Sequence, residues 1–260
     1  MKYSICIEMM FLELDFYDRF AAAKEAGFDY IEFWSWPDKD LPRIKRLCQE
    51  LGLSIASFSG DQDYSLCDPA HIQPYYDWML KSFQTANFLD CETVIIHSNQ
   101  LGEHGYVVDY YENLSPMTKN GSMLRTLLKL APAAEQYGVT MALEALNTEL
   151  DHVGNHLWHT DTASDLVRLV GSPRVKVIYD MYHMQIMHGD LISVLRRNFD
   201  TISYIHIADN PGRCEPGTGE INYATIIKTL REMDYQGIIG FEMSAATTAQ
   251  AAMQAVHAIW

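Results

Sequence analysis

The chain has 260 residues, 48% of them hydrophobic and 20% charged, which is core-forming material for one large domain or two small ones and excludes disorder. Its net charge of −15 repels polyanions, so nucleic acid is not the expected partner. Five cysteines (Cys6, Cys48, Cys67, Cys91 and Cys214) form no CxxC pair and no regular spacing, which excludes a disulfide framework or a zinc knuckle and points to a reduced, cytoplasmic protein. The first ten residues, interrupted by Glu8, do not read as a secretory leader. No apolar run reaches the length of a membrane span, so no membrane partner is expected.

In chain order, short apolar runs alternate with longer amphipathic ones. Strands are predicted over 4–8, 30–34, 54–59, 93–98, 140–145, 175–180, 202–208 and 237–242. Helical patterns fall between and after them, over 16–27, 41–52, 75–89, 123–138, 162–171, 191–199, 223–233 and 248–260. Glycines at 27, 52, 138 and 171 stand where a left-handed residue ends a helix. Eight strand–helix units without a linker predict an α/β fold, a single-domain (β/α)8 TIM barrel over 1–260. An open doubly wound sheet is the alternative, but no GxGxxG opens its first unit.

In a parallel barrel the C-terminal strand ends face the reaction site. Four successive predicted strands end on metal-ligating residue types: Glu144 in MALEAL, Asp180 in VIYDMYH, His206 in YIHIAD and Glu242 in IIGFEM. They are 36, 26 and 36 residues apart, each near one strand–helix period, so the side chains should converge at one mouth. Any one carboxylate alone is equally explained as a helix cap or a lysine partner, and His206 alone as a hydrogen-bonded core histidine. Four in register are costly partly buried polar groups unless they share a partner. Three carboxylates and an imidazole form a hard site for one divalent ion, Mn²⁺, Mg²⁺ or Co²⁺ before Zn²⁺.

Other polar residues flank these. His183, three positions past Asp180, is expected on a loop above the site, where it polarises a substrate oxygen, extends the metal cluster or is simply exposed. His97 and Glu32 also close strands and are expected to line the pocket, with Trp34, Trp36 and Phe58 as an apolar wall or ordinary core. The loop NPGRCEPGTGEINY follows the seventh strand. Its Arg213 either clamps a substrate oxygen or is a solvated cation, and Glu215 is equally open. Gly217 and Gly219 either let backbone approach a ligand or satisfy a turn.

The segments FYDRFAAAKEAGFDYIEFW, EALNT, YDMYHMQIMHGDL and HIADNPGRCEPGTGEINY resemble hydroxypyruvate isomerase and its relatives in the xylose isomerase-like TIM-barrel superfamily. The resemblance spans nearly the whole chain and is most specific in 178–191 and 206–223. It implies one divalent metal on Glu144, Asp180, His206 and Glu242, with His183 and Arg213 on a small sugar or hydroxy-keto acid. It is also compatible with a homo-oligomer. Two departures stand out. Hydroxypyruvate isomerases typically carry Gln where this chain has His206, whereas ketose 3-epimerases carry His. The segments SFSGDQDYSLCDP and IIHSNQ also differ from that isomerase pattern.

The expected chemistry is proton transfer beside a carbonyl, through a cis-enediolate, with Glu144 and Glu242 as acid and base. That makes an aldose–ketose isomerase, with a ketose 3-epimerase as the alternative. A polyol-ketone dehydratase would begin with the same enolisation. The metal-dependent apurinic-site endonucleases of the superfamily are a weaker match, because the third strand ends on Ser59 rather than histidine and Arg213 stands where a further ligand is expected. A non-catalytic sugar-binding protein would have no use for two proton-transfer carboxylates.

Overall fold

The computed structural model describes every residue from Met1 to Trp260. Eight parallel strands close into a barrel in chain order. They are β1 (Lys2–Cys6), β2 (Tyr30–Phe33), β3 (Ser54–Ser59), β4 (Thr93–Ile96), β5 (Thr140–Glu144), β6 (Val175–Asp180), β7 (Ile202–Ile207) and β8 (Ile238–Phe241). Closure is made by β1 on β8, from Lys2 opposite Ile238 to Ile5 opposite Phe241. The helices are α1 (Arg19–Glu25), α2 (Leu41–Leu51), α3 (Ile72–Phe88), α4 (Pro116–Tyr137), α5 (Thr160–Val170), α6 (Met181–Met187), α7 (Leu191–Asn198), α8 (Tyr223–Glu232) and α9 (Ala249–His257). None is long and apolar enough to cross a membrane.

Local chemistry explains the boundaries. Asp40, Ser115, Asn222 and Thr248 each accept a backbone N–H at the start of α2, α4, α8 and α9. Gly52, Gly138 and Gly171 end α2, α4 and α5 in the left-handed conformation, as read from the sequence. The predicted barrel is therefore the observed one, with one element added. Helix α6 follows β6 without a loop, over residues read as irregular.

Two packed regions set the site. The main hydrophobic core lies outside the strands, against the helices. Inside the barrel, Ala56, Ile95, Ala142, Ile178 and Tyr204 pack together, with Tyr30 and Ile238 against them. Side chains along a strand alternate faces, so the residue two positions further on also points inward. From Tyr30, Ile95, Ala142, Ile178 and Tyr204 that step leads to Glu32, His97, Glu144, Asp180 and His206. On β8 it leads from Ile238 to Gly240 and then to Glu242. The apolar plug of the barrel is thus capped at its C-terminal end by a polar layer.

Candidate active site

Glu144, Asp180, His206 and Glu242 are 3%, 2%, 2% and 9% exposed, and each offers a ligand atom within 4.8 Å of the others. The His206 Nδ1 atom lies 3.3 Å from Glu242 Oε2, 3.7 Å from Glu144 Oε1 and 3.9 Å from Asp180 Oδ2. These contacts are close but not aligned as hydrogen bonds: His206 Nδ1 and Glu144 Oε1 are both buried without a hydrogen-bond partner. Three like charges converging on orphaned donor atoms would be strongly unfavourable alone, and a divalent cation at their centre resolves both problems. The donor set therefore fits a metal ion.

Asp180 has two duties. One oxygen, Oδ1, caps α6 by accepting the N–H groups of Tyr182 and His183 at 2.7 and 3.0 Å, which leaves Oδ2 facing the cluster. Burial pushes its carboxyl up to about 7 against the pull of Arg213. The capped helix also relocates His183. It does not stand on a loop above the site; it occupies the first turn of α6, fully buried, with Nε2 3.5 Å from Asp180 Oδ2.

The tautomer of His183 follows from Asn147, just beyond β5. The Asn147 carbonyl oxygen accepts the N–H groups of Leu150 and Asp151 at 3.1 and 3.0 Å, so the amide cannot be turned around. Its NH2 then donates to Asp151 Oδ2 and to His183 Nδ1, both at 2.7 Å. Burial, Arg213 and His152 hold His183 well below the usual histidine range, so the ring is neutral. With Nδ1 accepting, the proton sits on Nε2, which lies 3.5 Å from the Arg213 guanidinium.

Around the carboxylates stands a second set of partners. His97 places Nε2 3.3 Å from Glu144 Oε2 and Nδ1 3.0 Å from Asp61 Oδ1, while its backbone N–H donates to Asp61 Oδ2 at 2.6 Å. Burial opposes the charged ring, but Asp61 and Glu144 outweigh it and raise its pKa to about 10. Trp34 donates its indole N–H to Glu242 Oε1 at 2.8 Å, and Arg213 donates to Oε2 at 2.6 Å. Burial alone would raise the Glu242 pKa; Arg213 and His206 instead hold it well below the usual carboxylate range.

Glu32 does not line the cavity as the sequence suggested. It lies behind His206, its Oε1 3.2 Å from Nε2, on the side away from the cluster contacts of Nδ1. Its Oε2 accepts the Tyr204 hydroxyl and, at 3.4 Å, that of Ser57. A carboxylate behind a metal-ligating imidazole fixes the ring and its proton. Gly240 makes room for it, because a Cβ there would sit 2.5 Å from Glu32 Oε2.

Arg213 is a site residue with a built support. It takes a left-handed φ of 54°, and its carbonyl accepts the Ser244 N–H at 2.9 Å, joining the loop to the end of β8. Fully buried Asp209 organises that loop, accepting N–H groups from Asn210, Gly217 and Ile221. Gly219 packs on the Asn210 carbonyl, and Glu215 accepts the Ala246 N–H, so these residues serve the turn.

The cluster opens into a cavity of about 590 Å³ whose lining is mostly polar. Of the residues singled out in the sequence, Glu144, His206, Glu242, His97, His183, Arg213 and Trp34 face it. Trp36 and Phe58 do not: Trp36 packs on Trp78 and Phe58 stacks on Phe33. Asp61, Asn147 and His152 were missed, being loop residues with no strand-end register to mark them.

Known proteins resemble the sequence and share the barrel fold across nearly the whole chain. Residues 20–259 match the family model for the xylose isomerase-like TIM barrel. Hydroxypyruvate isomerase from Escherichia coli is 28% identical over 98% of this chain and 97% of its own. The 2-oxo-tetronate isomerase of Haemophilus influenzae is 30% identical over 93% and 92%. The crystal structure of a family 2 AP endonuclease from Brucella melitensis superposes with a TM-score of 0.88 at 27% identity, over 97% of this chain and 96% of its own. With a closed barrel, a buried strand-end cluster and a match across nearly its whole length, the chain belongs to the xylose isomerase-like TIM barrel family.

Proposed function

We propose that this protein, an isomerase by its full-length relatives, interconverts a small α-hydroxy aldehyde and ketone by moving a proton between adjacent carbons. The observation that carries the reading is the pair Glu144 and Glu242, both buried beside one cluster of converging ligand atoms and each held by its own cationic partner. Glu144, Asp180, His206 and Glu242 would hold one divalent ion, Mn²⁺, Mg²⁺ or Co²⁺ before Zn²⁺. When bound, that ion would supply Lewis-acid polarisation of the substrate carbonyl and its neighbouring hydroxyl, which acidifies the C–H on the hydroxyl-bearing carbon.

The chain's own groups do the rest. One of the two glutamates removes the proton, and two carboxylates let one face of the substrate be deprotonated while the other is served with a proton. Negative charge then builds on the substrate oxygens, opposite the Arg213 guanidinium and the Nε2–H of neutral His183. Against burial, His206 and then His97, itself charged between Asp61 and Glu144, hold the Glu144 carboxyl below the usual carboxylate range and so keep it ionised.

Return of a proton to the opposite face of the same carbon would make the enzyme a ketose 3-epimerase, and His206 in place of glutamine favours that second reading. Phosphodiester cleavage is disfavoured by the acidic cavity, which would repel a DNA backbone. The deciding experiment follows deuterium incorporation by NMR in D2O with metal-loaded protein and a panel of ketoses, aldoses and hydroxypyruvate. Label beside the carbonyl, abolished by Glu242→Gln, supports the proposal, and its position separates isomerase from epimerase. Neither label nor product from any substrate would overturn it.

A further inference from the structure

Building on the proton-transfer reading above, we infer that the substrate is an uncharged, sugar-sized polyhydroxy ketone rather than a keto acid or a sugar phosphate. The charge pattern of the cavity carries this. Arg213 is its only arginine, no lysine lines it, and the guanidinium is already bound to Glu242 at 2.6 Å. A divalent ion together with Arg213 balances Glu144, Asp180 and Glu242, and His97 balances Asp61. Four further carboxylates on the lining, Asp38, Asp63, Glu103 and Asp151, are then left over. Lys39 reaches Asp38 from outside the lining, but Glu8 shares it. An incoming carboxylate or phosphate therefore meets a site of its own sign.

The remaining lining suits hydroxyl groups. Ser35, Ser59, Gln62 and Gln100 present neutral donors and acceptors, and the spare carboxylates accept from O–H without needing a cation. Size agrees: about 590 Å³ falls in the range of pockets that enclose drug-sized ligands, and a three-carbon acid would leave most of it to water. The acidic groups come from the segments after β2, β3, β4 and β5, so several loops impose the selection together.

The test compares D-fructose, hydroxypyruvate and fructose 6-phosphate on the metal-loaded protein, by ligand-induced shift in melting temperature and by deuterium exchange. The expected result is a large shift and fast exchange with the neutral ketose, and a smaller shift and much slower exchange with the two anions. Removing two exposed mouth charges, Asp63→Asn with Glu103→Gln, should raise hydroxypyruvate kcat/KM relative to fructose by about threefold at low ionic strength, and less in high salt. Hydroxypyruvate binding or exchanging as well as the ketose, or a ratio unmoved by the double substitution, overturns the inference while leaving proton transfer intact. Ketose-selective binding without exchange in any ligand would support the charge selection and sink the proton-transfer reading instead.

Discussion

Gly240 is the most direct test of how the polar layer is held together. A methyl group at this position would meet Glu32 Oε2 at 2.5 Å, Oε1 at 2.7 Å and Cδ at 2.9 Å. Ordinary contact begins at 3.4 Å, so the carboxylate would have to withdraw by about 0.9 Å. Withdrawal is opposed, because Tyr204 and Ser57 hold Oε2 and Oε1 faces His206 Nε2 at 3.2 Å. Overpacking of this kind costs about 1–3 kcal/mol. At roughly 2–4 °C per kcal/mol for a chain of this size, Gly240→Ala should lower the melting temperature of metal-free protein by about 2–12 °C. Because the strain passes to His206, Mn²⁺ affinity measured by calorimetric titration should fall about tenfold. In a Glu32→Ala background the same glycine substitution should cost almost nothing, since the clash partner is gone. An equal penalty in both backgrounds, or a Gly240→Ala protein with unchanged melting and metal affinity, would refute the packing argument.

Two further outcomes follow from the partners of the proposed catalytic groups. Asn147→Ala removes the donor to His183 Nδ1 and should lower kcat about tenfold with little change in KM, while nitrogen NMR of His183 reports a tautomer no longer fixed at Nε2–H. In metal-free protein, His97 has a pKa raised from 6.5 to about 10 on folding, so its charged form stabilises the fold fully below pH 6.5 and that contribution disappears as pH rises through about 10. Asp61→Asn should erase most of it. The melting-temperature gap between wild type and variant should then be wide in mild acid and close towards pH 10; a gap independent of pH would contradict the assignment.

The sequence made the barrel and its ligand cluster legible for one reason: strand geometry is periodic. Glu144, Asp180, His206 and Glu242 could be aligned because each ends a recognisable apolar run and the runs recur at one strand–helix spacing. Glu32 obeyed the same period, but its role did not follow from it. Whether an inward carboxylate reaches the cavity or tucks behind a neighbour depends on Gly240, which lies on a strand more than two hundred residues away. His183 was misplaced because MYHMQIM is too short to display a helical period, although Asp180 followed eight and nine residues later by His188 and Gly189 was a readable start-and-stop signal. Asp61 and Asn147 had no such signal. Their roles arise from hydrogen bonds between loops that only folding brings together.

That division has a physical consequence for the chemistry. The strands deliver the cluster itself, and their register leaves little freedom in where those four side chains stand. Much of what sets how they behave comes from loops: Trp34 after β2, Asp61 after β3, Asn147 after β5 and Arg213 after β7. Together with Glu32, which stands behind His206 on β2, these residues bias which carboxylate is held ionised, which imidazole nitrogen carries a proton and what charge greets the substrate. Loops accept sequence change that a closed barrel cannot, so a family can keep one cluster and alter its substrate by rewriting the surroundings. The full-length relatives therefore point to an isomerase, whereas on the reading proposed above the acidic lining from the loops carries the information about which carbonyl compound enters.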